Sequence, residues 1–187
     1  MALSTPCIGN GLMKLPLVLL CLCMMLASSR VARAQEDQQA VRAAYIFNLS
    51  RYVSWPRPLK DLKICSEADE RTGRLLKEIL EGKNSDGRMV HIVLAPSGAE
   101  QRECAILYLG KASAVRVAAV LQDLGTSPVL TVSEDPQFVR HGGMVALVRA
   151  EDQIQLHVNV GALHLAGIQM SSRLLSIAVV DHAGGRN

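Results

Sequence analysis

The chain has 187 residues, 49% of them hydrophobic, with 20 Lys and Arg against 17 Asp and Glu. Three of the basic residues, Lys14, Arg30 and Arg33, lie in the first 34 positions and no acidic residue does, so residues 35–187 carry 17 charges of each sign. The formal charge of +3 thus belongs to the leading segment, and it argues neither for nucleic acid nor for an anionic membrane surface as a partner.

That segment reads as a cleaved secretory signal. Leu15 to Leu26 is an unbroken apolar core preceded by Lys14 and followed by Ala32-Arg33-Ala34, with small residues where a signal peptidase reads. The core falls short of the roughly 20 residues needed to span a bilayer. Bulky Leu20 before Cys21 argues against a lipoprotein anchor. Cleavage after Ala34 leaves residues 35–187 as a single domain in an oxidising compartment. Cys7, Cys21 and Cys23 depart with the leader, leaving Cys65 and Cys104. Two such cysteines are most simply a disulfide, with a pair of buried thiols as the alternative. A redox pair would want C-x-x-C spacing, which is absent.

Along the mature chain, Gln38 to Val53 places Val41, Tyr45, Leu49 and Tyr52 at helical spacing, and Pro56 and Pro58 forbid continuation. Leu62 to Cys65 is a short strand. Asp69 can cap the next helix, whose stripe is Leu75, Leu76, Ile79 and Leu80. Asn84 to Gly87 is a turn into a strand over Met89 to Leu94. Ala95 to Glu103 is a polar connection with room for one helical turn. Cys104 to Leu109, apolar throughout, suits an interior parallel strand. Ser113 caps a helix with Val117, Val120, Leu121 and Leu124 on one face, stopped by Gly125. A strand follows at Val129 to Val132. Asp135-Pro136 then offers a helix N-cap with proline at the first helical position. Beyond Gly142-Gly143, Met144 to Val148 and Ile154 to Val160 flank the polar Arg149–Gln153 loop and form an antiparallel hairpin with one wet face. Gly161 to Gly167 is a short helix or turn, and Ser171 or Ser172 caps a last apolar segment of undetermined type, Leu174 to Val180. The expected class is α/β, a layered, mostly parallel sheet with flanking helices and a C-terminal antiparallel hairpin.

No catalytic motif stands out. Ser133, Glu134, Asp135 and His141 are the residue types of a hydrolytic triad, yet Asp135 is better used as a cap and no strained turn presents Ser133. Five scattered histidines do not assemble a metal site, and nothing calls for a cofactor. Candidate binding groups are Ser133 at a strand end, the backbone of Gly142 and Gly143, and Arg173 behind Ser171-Ser172, where a phosphate or carboxylate could sit. The aromatic cluster Tyr45, Phe47, Tyr52 and Trp55 is better suited to packing the first helix than to holding a ligand.

Several stretches, taken in order, resemble the YfiR-like periplasmic proteins. They are Ala43 to Asn48 with Tyr52 to Pro56, Ile64-Cys65, Cys104 to Leu109, Val129 to Ser133, Gly142 to Met144, Val158 to Val160 and Ile168 to Leu175. The sequence departs from the family pattern in the charged Arg149–Gln153 loop and at His157. The resemblance implies a periplasmic, non-enzymatic regulator. Such a protein binds the periplasmic part of an inner-membrane diguanylate cyclase and holds it off, until an outer-membrane, peptidoglycan-binding lipoprotein sequesters it and cyclic-di-GMP and biofilm formation rise. It further implies a Cys65–Cys104 disulfide that supports folding and repression. A homodimer is compatible with this reading, and a periplasmic small-molecule binding module is the alternative. One geometric difficulty attends the disulfide. Late in one parallel strand and first in its neighbour, the two cysteines would be offset beyond the ~7 Å limit between Cα atoms. Either the strand boundaries shift, or Cys104 sits in the preceding loop and reaches across.

Overall fold

The computed structural model describes residues 39–151 and 153–181; the expected leader and its cleavage point lie outside them. The first helix, α1, covers 39–52. Its buried stripe of Arg42, Ala43, Ile46, Leu49 and Ser50 follows the 3.6-residue period. The chain continues through β1 (Val53–Ser54), β2 (Leu62–Ser66), α2 (Glu70–Leu80), β3 (Asn84–Ser85), β4 (Arg88–Leu94), α3 (Gly98–Gln101), β5 (Ile106–Tyr108) and α4 (Ala114–Leu124). It ends with β6 (Leu130–Ser133), β7 (Val145–Ala150), β8 (Gln153–Asn159), α5 (Val160–Leu165), β9 (Gln169–Met170), α6 (Ser172–Leu175) and β10 (Val179–Asp181).

Eight strands form one sheet in the order β10-β8-β7-β6-β5-β2-β4-β3, and β1 and β9 form a separate two-stranded ribbon. The run β4-β2-β5-β6-β7 is parallel throughout. Taken in chain order these five strands lie 2-1-3-4-5, the doubly wound arrangement that reverses direction between β2 and β5. The β7–β8 pair is antiparallel, and along β8 the buried Leu156 and Val158 alternate with the less buried Gln155 and His157.

Strand alternation sends side chains to two cores. Ile64, Ile106, Leu130, Val132 and Val145 meet α1, α2 and α5 on one face. Cys65, Leu107, Val129 and Ala146 meet Val117, Val120 and Leu124 of α4 on the other, with Phe138 and Val139. The expected caps form: Asp69 accepts from the Thr72 amide at the start of α2, and Ser113 does so from Arg116 at the start of α4.

Three local differences from the sequence reading have physical causes. Asp135 accepts from the Gln137 amide at 2.9 Å, but the residues it caps form successive turns and no helix. The Asn84–Gly87 turn is the tip of a hairpin, with Asp86 and Gly87 at φ +52 and +82 as a tight two-residue turn demands. The last apolar segment divides: Ser171 caps the single turn α6, and the chain then adds β10 beside β8.

Candidate functional site

In doubly wound sheets ligands bind outside the carboxyl ends of the strands, where the order reverses. Here that edge is built by Ser66-Glu67-Ala68 after β2, Leu109-Gly110 after β5 and Ser133-Glu134 after β6. The crevice is closed by the chain itself. The Glu67 amide donates to the Tyr108 carbonyl at 2.8 Å, and the Glu134 amide donates to the Gly110 carbonyl at 2.9 Å. Gly110 sits at φ +56, and a Cβ there would come within 2.9 Å of the Ala68 methyl, so only glycine lets the two loops meet.

Two ionic clusters cover this edge. In the first, the Glu67 carboxylate takes two 2.8 Å hydrogen bonds from Nε and Nη2 of Arg116 and a third from Gln101. This fork holds the Arg116 guanidinium charged, raising its pKa further. In the second, Glu134 accepts from the Tyr108 hydroxyl and pairs with Arg42 Nη2 at 3.0 Å. Arg42 and Glu134 are nearly buried, with side chains 10% and 6% exposed, and Tyr108 is fully buried. Burial first, and then the Glu134 charge, push the Tyr108 phenol well above its ordinary value, so it acts as a neutral donor. Arg42 Nε has no partner of its own.

Ser133 belongs to this edge but is engaged: its hydroxyl donates to the Gly110 carbonyl at 2.9 Å and accepts from the Asp135 amide at 3.2 Å. The sheet register separates it from the glycines. Ser133 lies opposite Ala146 of β7, whereas the Met144 amide donates to Thr131 Oγ1 at 3.1 Å, so Gly142 and Gly143 precede β7 toward the other end of β6. His141 belongs to the turn before β7, its amide donating to Gln137 O at 3.1 Å, and the Ser133 hydroxyl is hydrogen-bonded to Gly110 and Asp135 instead. The glycine amides are taken as well. Gly142 N–H donates to Val139 O at 3.3 Å, and Gly143 N–H donates to Phe138 O at 3.0 Å. Gly143 is required by contact, since an added Cβ would stand 2.3 Å from the Phe138 ring. Arg173 lies exposed on the four-residue α6, apart from all of these.

Gly142 also lines a shallow apolar cleft of about 100 Å³ with Leu121, Leu124, Val129, Met144 and Leu165. Small-molecule sites run to about 300 Å³ and above. No group of three or more His, Cys, Asp or Glu residues among the described residues could hold a metal ion.

Cys65 and Cys104 are bonded and buried, with Cα atoms 5.9 Å apart. Both ways round the offset contribute. β5 starts only at Ile106, and Cys104 lies in the turn after α3, while the Ala105 amide donates to Lys63 O at 2.8 Å. The polar ends of the aromatic side chains are used internally. Tyr45 donates to Ile154 O at 3.2 Å, and Trp55 Nε1 donates to Ala105 O at 3.1 Å.

The two ionic clusters were not anticipated from the sequence, although one signal was present. Arg42 occupies the same helical stripe as Ile46, Leu49 and Val53, and a cation there announces a buried partner. Nothing local pointed to Glu67 and Arg116, which are 49 residues apart.

No individual curated protein matches the chain. A family model described as YfiR/HmsC-like matches residues 39–179, which is nearly every described residue. The chain belongs to the YfiR/HmsC-like family, periplasmic regulators of the cyclic-di-GMP pathway that act without catalysis.

Proposed function

We propose that this protein is exported to the periplasm, loses residues 1–34, and represses an inner-membrane diguanylate cyclase by binding its periplasmic part. An outer-membrane, peptidoglycan-binding lipoprotein relieves the repression by competing for it. The observation that carries this reading is the family match across residues 39–179. The closed carboxyl edge agrees with it: Glu67, Arg116, Glu134, Arg42 and Ser133 are all engaged within the chain, which leaves the outer surface as the place of action. Repression is then a population shift, in which the bound regulator favours the cyclase's inactive state. A ligand with equal affinity for both states would shift nothing.

The test is direct binding between purified residues 35–187 and the isolated periplasmic part of the membrane diguanylate cyclases of the same cell. Saturable binding to one of them, reversed by the lipoprotein, is expected. Failure to bind any would overturn the proposal.

A further inference from the structure

All the solvent-accessible aromatic side chains among the described residues fall on one short segment. Tyr108 and Phe138 are fully buried, whereas Tyr45, Phe47, Tyr52 and Trp55 keep some surface, Tyr52 being 37% exposed. Cations gather around the far end of this segment. Lys83 Nζ stands 5.7 Å from the Phe47 ring centroid, and the Arg88 guanidinium 5.6 Å from that of Trp55. Arg88 also donates to Ser50 O at 2.9 Å and Arg51 faces Asp86 at 3.7 Å, which fastens the β3–β4 hairpin to the end of α1. Arg57 and Lys60 lie on the loop from Trp55 to β2. The pairing of Leu62 with Val90 brings that loop to the root of the same hairpin.

Arg51, Arg57, Lys60, Lys83 and Arg88 outnumber the carboxylates on these segments, Asp61 and Asp86; Glu81 and Glu103 stand at the margins, facing His91 and Lys63. Arg51 and Arg88 are committed to the hairpin. Arg57, Lys60 and Lys83 are exposed and have no carboxylate partner among the described residues. An excess of unpaired cations beside fixed Tyr, Trp and Arg side chains has the composition of a protein–protein contact, where those residues dominate the energetics. A lipid surface fits less well. Trp55 is tied to Ala105 O, and Phe47 and Trp55 lie against cations of their own chain, so Tyr52 and Met89 are the exposed large apolar groups left on these segments and form no continuous wedge for a bilayer.

We infer that the surface formed by the end of α1, the loop 55–61 and the β3–β4 hairpin receives a folded protein partner that presents acidic residues around an apolar centre. This rests on the proposed function, and the partner it assigns to the surface is the periplasmic part of the cyclase. Such a charged rim acts chiefly through the association rate and its salt dependence.

The experiment measures binding of residues 35–187 to that periplasmic part, before and after the combined change Arg57→Glu, Lys60→Glu and Lys83→Glu. A control reverses Arg71, Arg74 and Lys77, on or beside the outer face of α2. Both variants are first matched to wild type by circular dichroism and melting; if the 57/60/83 change unfolds the protein, the three neutral glutamine substitutions take its place. The expected result is at least a tenfold rise in Kd for the 57/60/83 variant, with the control within about twofold of wild type. Equal losses in both variants, or none in the first, would overturn the surface assignment while leaving the functional reading intact. No binding by wild type would remove both. Vesicles containing anionic lipid serve as the third arm: if wild type sediments with them and the 57/60/83 variant does not, the surface is a membrane contact instead.

Discussion

Cys65 and Cys104 stand 39 positions apart in the chain, and in the chain-entropy account such a bridge stabilises the fold by about 4 kcal/mol. Cys65→Ser is therefore expected to melt well below wild type under oxidising conditions and close to it after reduction; equal melting in both conditions would contradict this. Asp69 supplies a pH-dependent contribution. The hydroxyl and the amide of Thr72 donate to its carboxylate and hold its pKa below the ordinary value. The stability it adds is complete above the unfolded carboxylate pKa and is lost as pH falls through the lower, folded one. Asp69→Ala should accordingly cost about 1 kcal/mol at neutral pH. In acid titrations followed by denaturant melts, the gap between mutant and wild type should close as the pH falls below the ordinary carboxylate range. Of these residue features, the cysteine pair was legible in the sequence because only two cysteines remain beyond the expected leader, and the Asp69 cap because it depends on residue type and local spacing. The separation of Ser133 from Gly142 and Gly143 was not, since β6–β7 register, a property of two strands together, puts them at different ends.

At the scale of elements, α1 is the piece whose docking can be taken apart. Its apolar stripe lies on the sheet, and polar ties fix its angle: Arg42 to Glu134, Tyr45 to the start of β8, and Ser50 to Ser85. Glu134→Ala leaves the Arg42 charge buried without its partner, and about 3–5 kcal/mol should be lost. The double change Arg42→Met with Glu134→Leu removes both charges and should cost less than the single one. Denaturant midpoints of the three proteins decide this; a double variant less stable than Glu134→Ala would show that the pair itself, and not the orphaned charge, matters. The helices were readable because cap and stripe coincide, as in Ser113 with Val117, Val120, Leu124 and Gly125. Segment 174–180 was not, because its run of apolar residues fits either period and tertiary pairing with β8 decides where α6 yields to β10.

For the whole molecule, the class of fold followed from alternating strand and helix patterns, while the strand order did not. Nothing local says that β2 lies between β4 and β5, or that β10 returns to pair with β8. That order brings Glu67, Gly110, Ser133 and Glu134 to one edge, where they pair within the chain and with Arg116 and Arg42. The proposed repression acts through the protein's surface. The most direct measurement of that claim is cellular cyclic-di-GMP in strains that keep the membrane cyclase, with this gene deleted, restored, or restored with the Arg57, Lys60 and Lys83 reversals. The account predicts a rise on deletion, a return to the original level with the wild-type gene, and an incomplete return with the altered one. Cyclic-di-GMP unchanged by deletion, with the cyclase present, would contradict it.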